Sequence, residues 1–287
     1  MWKLWRPEIK GGIHICGCGH SGTSILTRLI GAHSLIHALP GETGIAKKEK
    51  YSFYSTQVQG FEQAAAVNNA IIWAEKTPKH IRNLGFILDC APSTKVILIT
   101  RNPKDTVASL KRRYGKLGKS IRRWNSDTAK VLHWSRHPQC ITIQYESLIK
   151  NTEPTLASVM AFLGFYFEAE QLNFHQEKVD WYEGGARLKS QPCPIPAEAH
   201  NDECDQITNQ DPQAQSTQPK ISALDESLYG VKIDHKNYRN HQINQPLFNN
   251  IGSHRKYLTE DEADHVWRSC GKLAIALGYE NDSGTPP

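Results

Sequence analysis

The stretch that most constrains the fold lies near the amino end: Gly12-Ile13-His14-Ile15-Cys16-Gly17-Cys18-Gly19-His20-Ser21-Gly22-Thr23-Ser24, followed by an apolar-periodic run from Ile25 to Ala32. Alternating apolar residues enter it as a short buried strand. Gly17, Gly19 and Gly22 let the backbone turn sharply, and the Ser and Thr residues beyond them are placed to cap a helix. Strand, loop and helix start together ring a small hollow with backbone N–H groups at the positive end of a helix dipole, which suits a phosphate. The same turn also joins strand to helix in α/β proteins that bind nothing there. The spacing from Gly17 to Gly22 fits a Walker loop, but Thr23 stands where that motif needs its phosphate-reaching lysine. No clear apolar strand ends in an acidic residue suited to Mg²⁺, so a kinase or ATPase is disfavoured.

A second anchor is Lys95-Val96-Ile97-Leu98-Ile99-Thr100, a β-branched run that reads as a buried parallel strand, leading into Arg101-Asn102-Pro103-Lys104-Asp105-Thr106-Val107-Ala108-Ser109. Arg101 falls at the strand's carboxyl end, the edge where open α/β sheets bind ligands. The helix beginning at Pro103 brings Ser109 within reach of the same anion. Taken singly, each has a plainer alternative in a surface ion pair or a solvated helix face.

Strand and helix patterns alternate along the rest of the chain: a short strand at Ala70 to Ala74, helices from Pro103 to Tyr114 and Ile121 to Ser135, a strand from Cys140 to Tyr145, and a helix from Asn151 to Leu163 closed by Gly164. That succession predicts an α/β, P-loop-like three-layer fold with a central parallel sheet flanked by helices. The 287 residues, 39% of them hydrophobic, suffice for one domain spanning 1–287. Residues 187–219, rich in Pro, Gln, Asn, Asp and Ala, read as an irregular or mobile insertion within it. Thr259 with Glu260, Asp261 and Glu262 marks a capped helix running toward Gly278.

No run of eighteen apolar residues and no leader-like segment is present, so a soluble, cytoplasmic protein is expected. Seven scattered cysteines form no disulfide framework, and Cys16-x-Cys18 has the wrong spacing for zinc. The net charge of +5 is modest, with much of the basic excess between Lys111 and Arg123. That run could steer an anionic donor or acceptor, or be only a solvated face; no motif supports nucleic-acid binding.

The ordered set of motifs resembles the PAPS-dependent sulfotransferases, in particular the bacterial, glycan and tyrosylprotein branches. Ser21-Gly22-Thr23-Ser24 looks like the family's 5′-phosphosulfate loop, and Arg101 with Ser109 like its 3′-phosphate motif. Glu75-Lys76-Thr77-Pro78 is similar to a segment of the glycan-modifying branch, and Gln144-Tyr145-Glu146-Ser147-Leu148 followed by Phe162-Leu163-Gly164 to a further family strand and helix. Ile251 to Leu258 and Leu277-Gly278-Tyr279 give a weaker carboxyl-terminal echo.

The resemblance implies sulfuryl transfer from PAPS, with PAP as product and no metal, to a hydroxyl or amine of a small-molecule or glycan acceptor. Gly19, His20, Ser21, Gly22, Thr23 and Ser24 would hold the 5′-phosphate, Arg101 and Ser109 the 3′-phosphate, and Arg255 would close over the nucleotide. Glu42, delivered by the turn after the first helix, would be the general base, unless it only caps the next helix. Lys76 would stabilise the leaving oxygen, with Glu75 orienting it or serving as a second candidate base. His20 is a departure, standing where many relatives carry Lys or Arg to hold the transferring group; protonated it would take that catalytic role, and the alternative is a simple turn histidine. The competing classes are a P-loop-type ATP-dependent kinase and a nucleotide-binding module without chemistry.

Overall fold

The computed structural model describes residues 9–182 and 235–281, which fall into two compact units, 1–179 with 243–287 and 180–242. The larger unit is built on a five-stranded sheet of order β2-β3-β1-β4-β5, from β1 (Ile13–Gly17), β2 (Ile36–Ala38), β3 (Ile72–Lys76), β4 (Lys95–Thr100) and β5 (Cys140–Gln144). Every pairing is parallel, and β1 lies at the centre with Ile15 opposite Lys76 on one side and Gly17 opposite Ile99 on the other. Buried on both faces, a central strand has no solvated side to pattern, hence the continuous Val-Ile-Leu-Ile of β4.

Alternation along each strand sorts its side chains into two cores. Ile13, Ile15, Ala74, Ile97, Ile99 and Ile143 point to one face, where α1 (Thr23–Gly31), α6 (Tyr145–Lys150) and α7 (Thr152–Leu163) supply Leu26, Leu29, Leu148, Val159 and Met160. Cys16, Trp73, Val96 and Leu98 point to the other, covered by α2 (Tyr51–Val67), α3 (Leu84–Cys90) and the end of α5 (Leu117–Trp134). A third cluster joins α4 (Pro103–Tyr114) and α5 to the carboxyl-terminal helix, whose core residues are Val266, Trp267, Cys270 and Ala274. The three-layer parallel fold is therefore the one expected.

Details differ where a local signal was weak or outcompeted. The α1 helix opens at Thr23 with Gly22 as its cap, in the left-handed region at φ 91°, and no side chain caps it. A Cβ on Gly22 would lie 2.5 Å from the Tyr145 ring, so packing and backbone both demand glycine where a hydroxyl cap was expected. The β3 strand runs on through Glu75 and Lys76 rather than stopping at Ala74, and the three-residue edge strand β2 was not foreseen.

The smaller unit is described at 180–182 and at α8 (His235–Ile243), whose last residue belongs to the larger unit. Within it the Tyr182 N–H donates to Asn240 Oδ1 at 2.9 Å, and the Arg239 guanidinium lies 3.7 Å from the Tyr182 ring centre. Residues 187–219 lie outside the described residues. The last helix is α9 (Glu260–Ala276), opened by the expected capping box of Thr259 and Glu262. No helix of the described residues is long and apolar enough to cross a membrane.

Candidate active site

The carboxyl ends of β3, β1 and β4 lie side by side, and the loop after β1 turns over them into α1. Gly17 at φ 144° and Gly22 at φ 91° take conformations that side chains resist, and His20 at φ 72° is one of three non-glycine residues with positive φ among the described residues. The Ser21 hydroxyl at the middle of this loop is buried without a partner. A buried hydroxyl lacking a partner costs free energy, so the hollow suits a polar ligand.

Arg101 enters from the end of β4. Its Nη2 donates to the Asn250 carbonyl at 2.6 Å and to Ser253 Oγ at 3.3 Å, and its Nη1 reaches the His20 carbonyl at 3.4 Å. The guanidinium lies 4.4 Å from the centre of the Tyr145 ring, and its Nε is buried with no partner. Trp124 of α5 holds the Arg101 carbonyl at 3.2 Å. The cation is thus fixed by backbone and ring contacts, with Asp105 at 3.7 Å and the nearby Glu146 carboxyl as its acidic neighbours.

Asp105 is itself occupied: it accepts from the Gly252 N–H at 2.8 Å, the His254 N–H at 2.9 Å and His254 Nδ1 at 2.7 Å. Burial alone would raise its pKa, but these bonds and Arg101 hold it below the usual value. Asp105 thereby fastens the 3-10 turn Ser253–Lys256 onto α4 and delivers Ser253 to Arg101. Arg255, on the same turn, is exposed, with Nη1 3.3 Å from where a Cβ on Gly252 would lie.

Ser109 does not meet Arg101 directly. Its hydroxyl pairs with His20 Nδ1 at 2.7 Å, so the histidine bridges the loop to α4. Two site residues named separately from sequence therefore form one contact.

Glu42 and Lys76 also come together, with Lys76 Nζ 3.3 Å from Glu42 Oε1. The lysine side chain is fully buried, whereas the carboxylate is 38% exposed and faces outward. Glu75 is separate. Its Oε1 accepts from His14 Nδ1 at 2.9 Å and His80 Nδ1 at 2.6 Å, and its Oε2 from Thr43 at 2.7 Å and Thr77 at 3.0 Å. Burial would raise the carboxyl's pKa, yet the two imidazoles outweigh it and hold Glu75 well below the carboxylate range. Of the roles that resemblance allowed it, orientation suits such a group and proton abstraction does not, since every lone pair is taken.

His14, Glu75 and His80 cluster as a metal-ligand set would. The protons argue otherwise. The Ala46 N–H donates to His80 Nε2 at 3.3 Å, so the His80 proton sits on Nδ1, against Glu75, and a protonated nitrogen cannot ligate. His14, whose pKa burial lowers, likewise gives its Nδ1 proton to the carboxylate while Nε2 meets the Tyr54 hydroxyl at 3.2 Å.

Sequence reasoning missed His14, His80, Thr43 and Asp105, which hold the site from behind. The signal for the first three was a polar residue within an apolar strand and polar neighbours of a strand end; nothing local marked Asp105 as the partner of His254.

Residues 45–169 match the model of the sulfotransferase family. The fold agrees with the sulfotransferase domain from the curacin biosynthetic pathway, 16% identical with a TM-score of 0.53 over 96% of this chain and 99% of that one. It agrees equally with mouse sulfotransferase SULT7A1 complexed with PAP, 13% identical with a TM-score of 0.53 over 96% of this chain and 89% of that one. No curated protein matched in a sequence search. The matched segment is similar to the sulfotransferase family, and the chain shares the fold of these solved sulfotransferases.

Proposed function

We propose that this chain transfers a sulfuryl group from PAPS to a hydroxyl, or an amine, of a small-molecule or glycan acceptor in the reducing cytoplasm. The observation that carries the reading is the pair of buried, unpartnered polar atoms, Ser21 Oγ in the phosphate loop and Arg101 Nε at the end of β4. The hydroxyl would donate at the 5′ end of a bisphosphate, and the guanidinium would add a cation for the 3′ end. The family match supports it independently.

When bound, the donor supplies an activated sulfuryl group on its 5′-phosphate. The backbone N–H groups of residues 19–24 and the start of α1 would cradle that phosphate, and Arg101, with Ser109 oriented by His20, the 3′-phosphate. Glu42, the more exposed partner of the Glu42–Lys76 pair, takes the proton of the acceptor hydroxyl as its oxygen bonds to sulfur. Lys76 donates to the bridging oxygen as the sulfur–oxygen bond to the 5′-phosphate breaks, so the lysine's charge, released from Glu42 as the carboxylate is protonated, meets the negative charge that grows on the leaving phosphate. Glu75 orients both, through Thr43 beside Glu42 and through its own chain link to Lys76.

Calorimetric titration with PAP, and with ATP in the presence of Mg²⁺, tests the donor class. Wild type is expected to prefer PAP, and Arg101→Ala to weaken it roughly 100-fold, the scale of losing a buried partner of a charged group. A preference for ATP, or no binding of either, overturns the reading.

A further inference from the structure

The phosphate loop carries no lysine or arginine from Cys18 to Ser24. Its one basic side chain, His20, pairs with Ser109, and Arg101, which reaches the loop through the His20 carbonyl, turns its Nη2 to Asn250 and Ser253. A second guanidinium stands at the loop. Arg123 of α5 places its Nη2 3.6 Å from where a Cβ on Gly19 would lie, in van der Waals range of the loop. Its Nε is hydrogen-bonded to Asp127 Oδ2 one helical turn on.

Asp127 does not need Arg123 for neutralisation. The carboxylate is fully buried, and its other oxygen, Oδ1, receives both Nε and Nη2 of Arg82 at 2.7 Å. Two guanidiniums on one carboxylate leave one positive charge in excess. The exposures say where it acts: Arg82 is 41% exposed, so water screens it, whereas Arg123 is 17% exposed and lies against the loop. Burial alone would lower the Arg123 pKa, but the hydrogen bond and charge of Asp127 with its other neighbours raise it and keep the guanidinium charged, and burial keeps the neighbouring Cys18 thiol neutral, so no thiolate cancels it. Outward from Arg123, the run Lys111 to Arg123 contains no acidic residue, although Lys111 at its start is paired with Glu262 at 2.5 Å.

We infer that Arg123, positioned by Asp127 and set against Gly19, is the cation of the phosphate loop and binds the 5′-phosphate end of the donor. The inference rests on the donor reading above and adds to it a residue and an end of the ligand. Charge at this end grows on the 5′-phosphate as the sulfuryl group leaves, and a guanidinium held in a fixed orientation meets it without reorganisation.

The test compares two ligands that differ only at the 5′ end, PAP and adenosine 3′-monophosphate, by calorimetry on wild type, Arg123→Gln and Arg123→Lys, with melting curves confirming that each is folded. Arg123→Gln is expected to weaken PAP about tenfold and to leave adenosine 3′-monophosphate unchanged; Arg123→Lys, which keeps the charge but loses the fork, falls between. If Arg123→Gln does not fold, the lysine variant alone decides, by a loss on PAP that the monophosphate does not share. Equal weakening of both nucleotides means that Arg123 only supports the scaffold, and an unchanged PAP affinity means that it does not touch the site; either overturns the inference while leaving the donor class standing. Failure of wild type to bind PAP at all overturns the donor reading instead.

Discussion

Two buried polar regions flank β1 and differ in one respect. Around Glu75, each carboxylate oxygen accepts two hydrogen bonds, from His14, His80, Thr43 and Thr77. Around the phosphate loop, the Ser21 hydroxyl and Arg101 Nε are equally buried and have no partner. A saturated network stabilises the fold, because each group has exchanged water for protein; an unsaturated one costs stability that a ligand returns. The contrast separates scaffold from binding surface among residues of the same polarity, depth and sheet edge.

The sharpest way to break that contrast is at Glu75. Glu75→Ala strands four donors in a dry interior, and thermal or urea unfolding is expected to show a loss of about 3–5 kcal/mol, the scale for removing one partner of a buried charged network. A variant that melts like wild type would mean that the cluster is not scaffold. Ser21→Ala should act in reverse: the side chain lost is an unsatisfied hydroxyl, so the melting temperature holds or rises, while PAP affinity falls roughly tenfold through the loss of one hydrogen bond to a charged ligand. A drop in stability with affinity intact would reverse the assignments of the two regions.

The unsatisfied region was legible in the sequence and the saturated one was not, for a physical reason. Loop, strand and Arg101 are encoded locally: glycines at fixed spacing, a β-branched run, an arginine where that run ends. The fold class follows from the same local periodicities, and α4 was placed from Pro103 to Tyr114 as found. The Glu75 network joins residues 61, 32 and 5 positions away, and Asp105 meets His254 across 149, so neither leaves a periodic trace. The Glu42–Lys76 pair lay between these cases: both were named singly, but only the fold sets Lys76 Nζ 3.3 Å from the carboxylate. Arg123 was visible as part of a basic run and not as a loop residue, since its contact with Gly19 depends on how α5 packs.

The smallest effect is also the most specific to the saturated region, and it is a pH dependence. His14 titrates below its ordinary 6.5, because burial penalises the imidazolium more than Glu75 favours it. The folded chain therefore binds this proton less readily than the unfolded chain does. As pH falls below about 6.5, unfolded molecules are protonated first, and stability declines until the folded-state pKa is reached, by at most about 1.4 kcal/mol per pH unit for one proton. Glu75 is also depressed, from its ordinary 4.5, so its contribution is present above that value and lost as pH falls further toward its folded pKa. The two windows open at about 6.5 and 4.5 and share a sign. His14→Asn keeps a donor facing Glu75 but has no titrating ring, so its melting temperature should be flatter than that of wild type as pH falls from about 6.5 and should still fall below pH 4.5. Parallel profiles across the upper window would show that His14 enters the folded state already protonated, as a cation paired with Glu75, and that the cluster is held by charge rather than by saturated neutral hydrogen bonds.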